Sequence, residues 1–187
     1  MNSIKRSPPG RVRIIGGEYR GRRLRVAARA DLRPTPDRVR VRLFDWLGQR
    51  LDGAACLDLF AGSGALGFEA ASRGAARVVM VESDRAALAA LREARAQLGA
   101  SAVEIVAGDA EAWLARGGER FDVVFLDPPF RQNAGAALLG RVAPRLAPGA
   151  RVYLEAAQPA EVGAPWRELK RGRAGQVSVQ LLRWEPA

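Results

Sequence analysis

The chain has 187 residues, 48% hydrophobic and 27% charged, the make-up of one globular domain with at most a small appendage. It contains no histidine and one cysteine, Cys56, which excludes Ser-His-Asp and Cys-His catalysis, a disulfide framework and every His-ligated metal site. The longest run free of Asp, Glu, Lys and Arg is the ten residues 59–68, too short for a membrane span, and the N-terminus lacks the apolar core of a signal peptide, so a cytoplasmic protein working without metal is expected.

The net charge of +10 sits at one end. Residues 1–50 carry 14 Lys and Arg against 4 Asp and Glu, whereas residues 51–187 carry 16 of each. Only two of the 30 basic residues are lysine. An arginine-rich composition accounts for that preference but not for the placement of the excess. A basic arm beside a neutral domain indicates an anionic partner, nucleic acid before an anionic membrane.

Residues 1–10 read as a disordered start. β-prone runs at 12–15 and 23–26, with Gly16, Gly17 and Gly21 between them, predict a short hairpin with a loose connection. Residues 32–37 read as a loop, with Thr35 as N-cap, Pro36 at the first helical position and Asp37 in the first turn of a helix over 38–50. Val39, Leu43, Phe44, Leu47 and Leu51 form its apolar stripe, and Arg38, Arg40 and Arg42 fall off that stripe and are expected to stay available.

From Cys56 onward, apolar runs at 56–60, 77–82, 103–107, 121–126 and 151–155 alternate with helical segments near 65–73, 84–98, 110–116 and 134–146. Nearly continuous apolar strands between helices predict an α/β fold with a doubly wound, mostly parallel sheet, covered on both faces. After a loop at 156–165, runs at 168–173 and 177–184 predict a C-terminal antiparallel hairpin, completing seven strands.

Gly62-Ser63-Gly64-Ala65-Leu66-Gly67 fits G-x-G-x-x-G directly after a strand and at the opening of a helix. Glu82 follows Gly62 by 20 residues, at the end of the second strand of the sheet, where an acid can accept both hydroxyls of a ribose. Asp58, Asp109 and Asp127 fall at the carboxyl ends of other strands, where ligands of such sheets sit. Asp84 reads as a helix cap alone. A dinucleotide would bring two phosphates into this acidic rim, where like charges ~4 Å apart repel by a few kcal/mol at an effective dielectric of about 20. S-adenosylmethionine carries a sulfonium and an ammonium, which favour carboxylates, and its own carboxylate suits the N–H groups of the turn.

Asp127-Pro128-Pro129-Phe130 closes the fourth strand of the sheet. Two prolines stiffen the loop and leave bare carbonyls. Acceptors from Asp127 and Pro128 on the two N–H groups of an exocyclic amine would turn its lone pair toward a methyl group, and Phe130 would give an extracted base a flat face. The same loop chemistry serves N6-adenine methylation of DNA, usually with Asn and Tyr where Asp127 and Phe130 stand here. A nonenzymatic RNA-binding protein that keeps the fold as a scaffold is the alternative outside enzymology. An NAD-type dehydrogenase is disfavoured by the acidic rim.

With LDLFAGSGALGFEAASRGA, VESD and DPPF, the chain resembles a class I S-adenosylmethionine-dependent methyltransferase of the amino-methylating kind, with a Rossmann-like fold. VRIIGGEYRGRRL and LRPTPDRVRVRLFDWL make it similar to the RsmD family of bacterial 16S ribosomal RNA guanine-N2 methyltransferases, over essentially the whole chain. The resemblance implies that Asp58, Phe60, Gly62, Ser63, Gly64 and Gly67 hold the methionyl end of S-adenosylmethionine. Glu82 with Ser83 would take the ribose, and Asp109 with Ala110 would lie at the adenine. Asp127, Pro128, Pro129 and Phe130 would hold and activate the target guanine. Arg13, Arg22, Thr35, Arg38 and Arg40 would contact RNA or line the site. The implied partner is 16S rRNA or a partly assembled small subunit, and nothing demands more than a monomer. Residues 11–50 are expected to form the RNA-binding extension and 51–187 the catalytic domain. Val41, Arg42 and Asp45 depart from the family's usual pattern.

Overall fold

In the computed structural model, which describes residues 10–27, 35–129 and 135–186, β1 (Arg11–Arg13) and β2 (Arg23–Arg25) form an antiparallel hairpin, followed by α1 (Asp37–Leu47). Then come β3 (Ala55–Asp58), α2 (Ala65–Ser72), β4 (Arg77–Glu82), α3 (Arg85–Leu98), β5 (Val103–Ala107), α4 (Ala110–Ala115), β6 (Phe121–Leu126) and α5 (Gly135–Val142). A 3-10 turn (Ala143–Arg145) leads into β7 (Leu146–Ala156), β8 (Trp166–Ala174) and β9 (Val177–Trp184).

The seven-stranded sheet has the order β5-β4-β3-β6-β7-β9-β8, parallel through β7, with β9 inserted antiparallel between β7 and β8. This is the doubly wound sheet and terminal hairpin that the sequence pattern predicts. The central strands are mostly apolar because both faces are covered. Cys56, Val78, Met80, Val123 and Phe125 point into a core shared with α1 and α2, while Leu57, Val79, Val81 and Val124 point into a second core under α4 and α5.

The N-terminal extension packs into the first of these cores. Val12, Ile14, Leu24 and Val26 join Val39, Leu43, Phe44 and Leu47 there, and the Phe44 ring lies 6.1 Å from that of Phe125. The hairpin connection, expected to be loose, is docked on the end of α2. Glu18 N–H donates to the Ser72 carbonyl at 2.7 Å, Tyr19 N–H donates to the Ser72 hydroxyl at 2.8 Å, and that hydroxyl donates to the Gly16 carbonyl at 2.5 Å. Gly17 has φ +76°, and a Cβ on it would stand 1.7 Å from the Ser72 carbonyl oxygen, so only glycine permits the contact.

Four boundaries differ from expectation. Helix α1 stops at Leu47 because Gly48 takes φ 95° and caps it, and at its start Pro36, not Thr35, holds the N-cap position without a side-chain cap. The segment read as one helix to 146 breaks at Val142, since Pro144 lacks the N–H that a continuing helix needs. β7 therefore begins at Leu146 rather than 151. Part of the 32–37 loop, the expected disordered residues 1–9 and Ala134 lie outside the described residues.

Candidate active site

The chain leaves β3 toward β4 on one side and has β6 on the other, so the carboxyl ends of β3 and β6 flank the point where strand order reverses. Asp58 ends β3 there with 2% of its surface exposed. Its carboxyl accepts the Gly67 N–H at 3.0 Å and the Phe60 N–H. Removal from water pushes its pKa up to about 7, with the two N–H groups pulling down and the Glu82 charge pushing up. Gly67 allows this approach, since a Cβ would lie 2.2 Å from Met80 Cε and 3.2 Å from Asp58 Oδ2.

Glu82, at the end of β4, pins the glycine turn. One carboxylate oxygen accepts the Gly62 N–H at 2.7 Å, and the other accepts the Ser83 and Asp84 N–H groups at 2.9 and 2.8 Å. Gly64 N–H donates to the Ala61 carbonyl at 2.6 Å. The turn thus spends the Gly62, Gly64 and Gly67 donors inside the protein, which narrows the set that an anionic ligand end can use. Ser63 and Phe60 are half-buried beside the turn, and Ser83 is exposed. Asp84 caps α3 through the Ala87 N–H, as read from sequence. Asp109 is exposed and caps α4 through the Ala112 N–H, with Ala110 buried next to it.

Asp127 follows β6 and is half-buried, with Pro128 buried and Pro129 exposed; Phe130 lies outside the described residues. Burial, then the charges of Glu155 and Asp58, hold the Asp127 carboxyl well above the usual carboxylate range, against the pull of a hydrogen bond from the Thr35 side chain. Glu155 escaped the sequence reading. In the β6–β7 register Leu126 lies beside Leu154, so Glu155 stands beside Asp127. It is 7% exposed, accepts the Tyr153 hydroxyl at 2.8 Å, and is itself pushed up by burial. The only signal was an acid at the carboxyl end of the run 151–155.

The arginines separate into two sets. Arg13, Arg22 and Arg38 are exposed, with Arg22 donating to the Gln97 carbonyl at 2.8 Å. Arg40, expected to be available, is 1% exposed. Its guanidinium donates to the Thr35 carbonyl at 3.2 Å, the Arg13 carbonyl at 2.8 Å, Asp37 at 2.6 Å and Glu69 at 3.3 Å. Glu69, fully buried on α2, also accepts the Ile15 and Gly16 N–H groups at 2.9 and 2.8 Å and pairs with Arg73 at 2.9 Å. Arg40 is therefore a buried tie between extension and sheet domain, and a direct phosphate contact from it is ruled out in this conformation. Thr35 is likewise buried, at 8%. The positions that depart from the family pattern, Val41, Arg42 and Asp45, are all exposed on α1 and leave its core face unchanged.

Asp58, Glu82, Asp127 and Glu155 thus gather on the carboxyl edge of neighbouring strands. Among the described residues, Asp58 is met only by backbone N–H groups. Desolvated carboxyls of this kind suit a cationic ligand and repel a diphosphate, so the residues fit S-adenosylmethionine.

The family model described as Conserved hypothetical protein 95 matches residues 12–183. The chain is 41% identical over 192 residues to a protein of Escherichia coli K12 called ribosomal RNA small subunit methyltransferase D, covering 99% of this chain and 96% of that one. It is 39% identical to the protein of the same name from Haemophilus influenzae, covering 92% of this chain and 93% of the relative. The solved structure of the E. coli protein yhhF superposes with TM-score 0.86 at 42% identity, covering 95% of this chain and all of that one. With its sheet order, its glycine turn and a family match that spans extension and sheet alike, the chain belongs to the Conserved hypothetical protein 95 family, which is the RsmD family.

Proposed function

We propose that this protein transfers a methyl group from S-adenosylmethionine to the exocyclic N2 of a guanine in small-subunit ribosomal RNA. The observation that carries the reading is Asp127-Pro128-Pro129, fixed at the carboxyl end of β6 beside the strand-order reversal, within a rim of carboxyls. The names of the relatives point the same way. When bound, S-adenosylmethionine supplies an electrophilic methyl on a sulfonium. Asp58 and Glu82 would hold the donor's cationic and ribose parts. The Asp127 carboxylate and Pro128 carbonyl would accept the two amine N–H groups, orient the nitrogen lone pair and stabilise the positive charge that develops on nitrogen. Alignment of the two reactants does much of the rest, and the alkylated nitrogen then loses its proton readily.

The test uses ribosomal RNA from cells lacking the protein and labelled S-adenosylmethionine. Wild type should yield N2-methylguanosine on nucleoside analysis, and Asp127→Ala should lose about a hundredfold or more in kcat while still binding the donor. N6-methyladenosine as the product, or an undiminished rate in the variant, would end this assignment. Failure of S-adenosylmethionine to raise Tm would point to a nonenzymatic RNA-binding scaffold instead.

A further inference from the structure

Phe125 and Tyr153 pair across β6 and β7 and face the core shared with α1 and α2, while the next pair, Leu126 and Leu154, faces the other core. Side chains alternate along a strand, so Asp127 and Glu155 come next on the side of Phe125 and Tyr153, with their backbones one strand spacing of about 4.8 Å apart. Glu155 is 7% exposed. The buried Tyr153 hydroxyl donates to its Oε1 at 2.8 Å, which fixes the carboxyl and leaves Oε2 for an incoming donor. Burial pushes the Glu155 pKa up, and the same hydroxyl pulls it down, toward the ionised form that accepts an N–H. On its other flank β9 sets Val179 opposite Glu155, a side chain with no donor to offer.

The sheet therefore places a second, oriented carboxyl beside Asp127, and the two amine contacts described above do not use it. In guanine the neighbour of the exocyclic amine on the Watson–Crick edge is N1–H, a donor. In adenine and cytosine that neighbour is a bare ring nitrogen, an acceptor. Bases taken out of their stack are read on this edge. A carboxylate there accepts from the first and repels the lone pair of the others. We propose, resting on the reading of Asp127 given above, that Glu155 is a specificity-determining residue: its carboxylate accepts the guanine N1–H while Asp127 and Pro128 hold N2, so the site admits guanine and turns away bases with an acceptor beside the amine. So little water reaches Glu155 that a mismatched base leaves its charge unmet, which makes the contact selective.

The experiment compares guanine with 2-aminopurine, which keeps the 2-amine but carries a bare N1. The guanine that wild type methylates is located by mass spectrometry in small-subunit ribosomal RNA from cells lacking the protein. The same RNA is then ligated with 2-aminopurine at that nucleotide, and both RNAs are offered naked and in reconstituted subunits. Wild type should favour guanine in kcat/KM by about a hundredfold, as expected for a charged hydrogen bond lost and a buried charge left unpaired. The Glu155→Gln amide can donate to a bare N1 as well as accept from N1–H. This variant should transfer to guanine about tenfold more slowly and bring the preference to within about threefold. Affinity for S-adenosylmethionine should stay near wild type. A weakened fold lowers both rates together and leaves their ratio unchanged, so the ratio reads the contact itself. If Glu155→Gln does not fold, Tyr153→Phe, which frees the carboxyl to turn, should lower the preference in the same direction and decides in its place. A wild-type ratio near one, or a ratio that these variants leave unchanged, overturns the role of Glu155 while N2 methylation stands. Absence of N2-methylguanosine with wild type, or a full rate in Asp127→Ala, overturns the reading of the site instead.

Discussion

Asp58 is a buried carboxyl at the edge of a crevice, and its ionisation has measurable consequences. Its pKa in the folded protein is about 7 against 3.8 for an ordinary aspartate. A carboxyl raised in this way contributes stability that is complete below about pH 4 and is lost as pH rises through about 7. Asp58→Asn should flatten the fall of Tm between about pH 4 and pH 7. A bound cation favours the ionised form, so affinity for S-adenosylmethionine should rise between about pH 6 and pH 8, with proton release seen by calorimetry in buffers of different ionisation heat. No proton release would mean that the donor's charge lies away from Asp58. Asp58 and Glu82 were legible because each closes an apolar run, four residues before and 20 residues after Gly62, and Asp127 because it closes another directly ahead of two prolines. Glu155 was not, since its meaning depends on β7 lying beside β6 in a register that no local pattern states.

At the scale of elements, the apolar docking of hairpin and α1 onto α2 is joined by a buried ionic cluster, Arg40–Glu69–Arg73. Helical periodicity placed Arg40 off the apolar stripe of α1. It did not reveal that this side of the helix faces Glu69 of α2, 29 residues on. Glu69→Ala leaves two guanidiniums buried without their shared counter-charge, which costs about 3–5 kcal/mol. A fall in Tm of about 10 °C is expected at this chain length, with a matching loss in urea titration. A stability change within about 0.5 kcal/mol would show that the cluster is solvated rather than buried. Gly17→Ala should act on the same joint by a different route. Its Cβ meets the Ser72 carbonyl, so the hairpin connection lifts from α2, and trypsin should cut faster at Arg20 or Arg22.

Over the whole molecule, the basic surface is broader than the first 50 residues. Exposed Arg42 on α1 donates to the Arg173 carbonyl of β8, which brings Lys170 and Arg173 of the neutral part of the chain next to the basic extension. Arg11, Arg13, Arg20, Arg22, Arg23, Arg25 and Arg38 are exposed on that extension. If about five of these meet phosphate, log affinity for RNA should fall against log salt with a slope of about −3.5 to −4.5. Arg38→Ala should lower that slope by about 0.7–0.9, whereas Arg40→Ala should change stability and leave the slope alone. Equal slopes for wild type and Arg38→Ala would take α1 out of the RNA footprint.

Composition and period settled the sheet, its two covered faces and the edge where carboxyls collect, because alternating strands and helices of this length pack in few ways. Spacing along the chain placed the glycine turn and the proline-stiffened loop. Only the tertiary structure decided which arginine is buried and which acid sits next to Asp127. Those facts depend on contacts between residues far apart in the chain, and a linear sequence records distance along the backbone, not proximity across it.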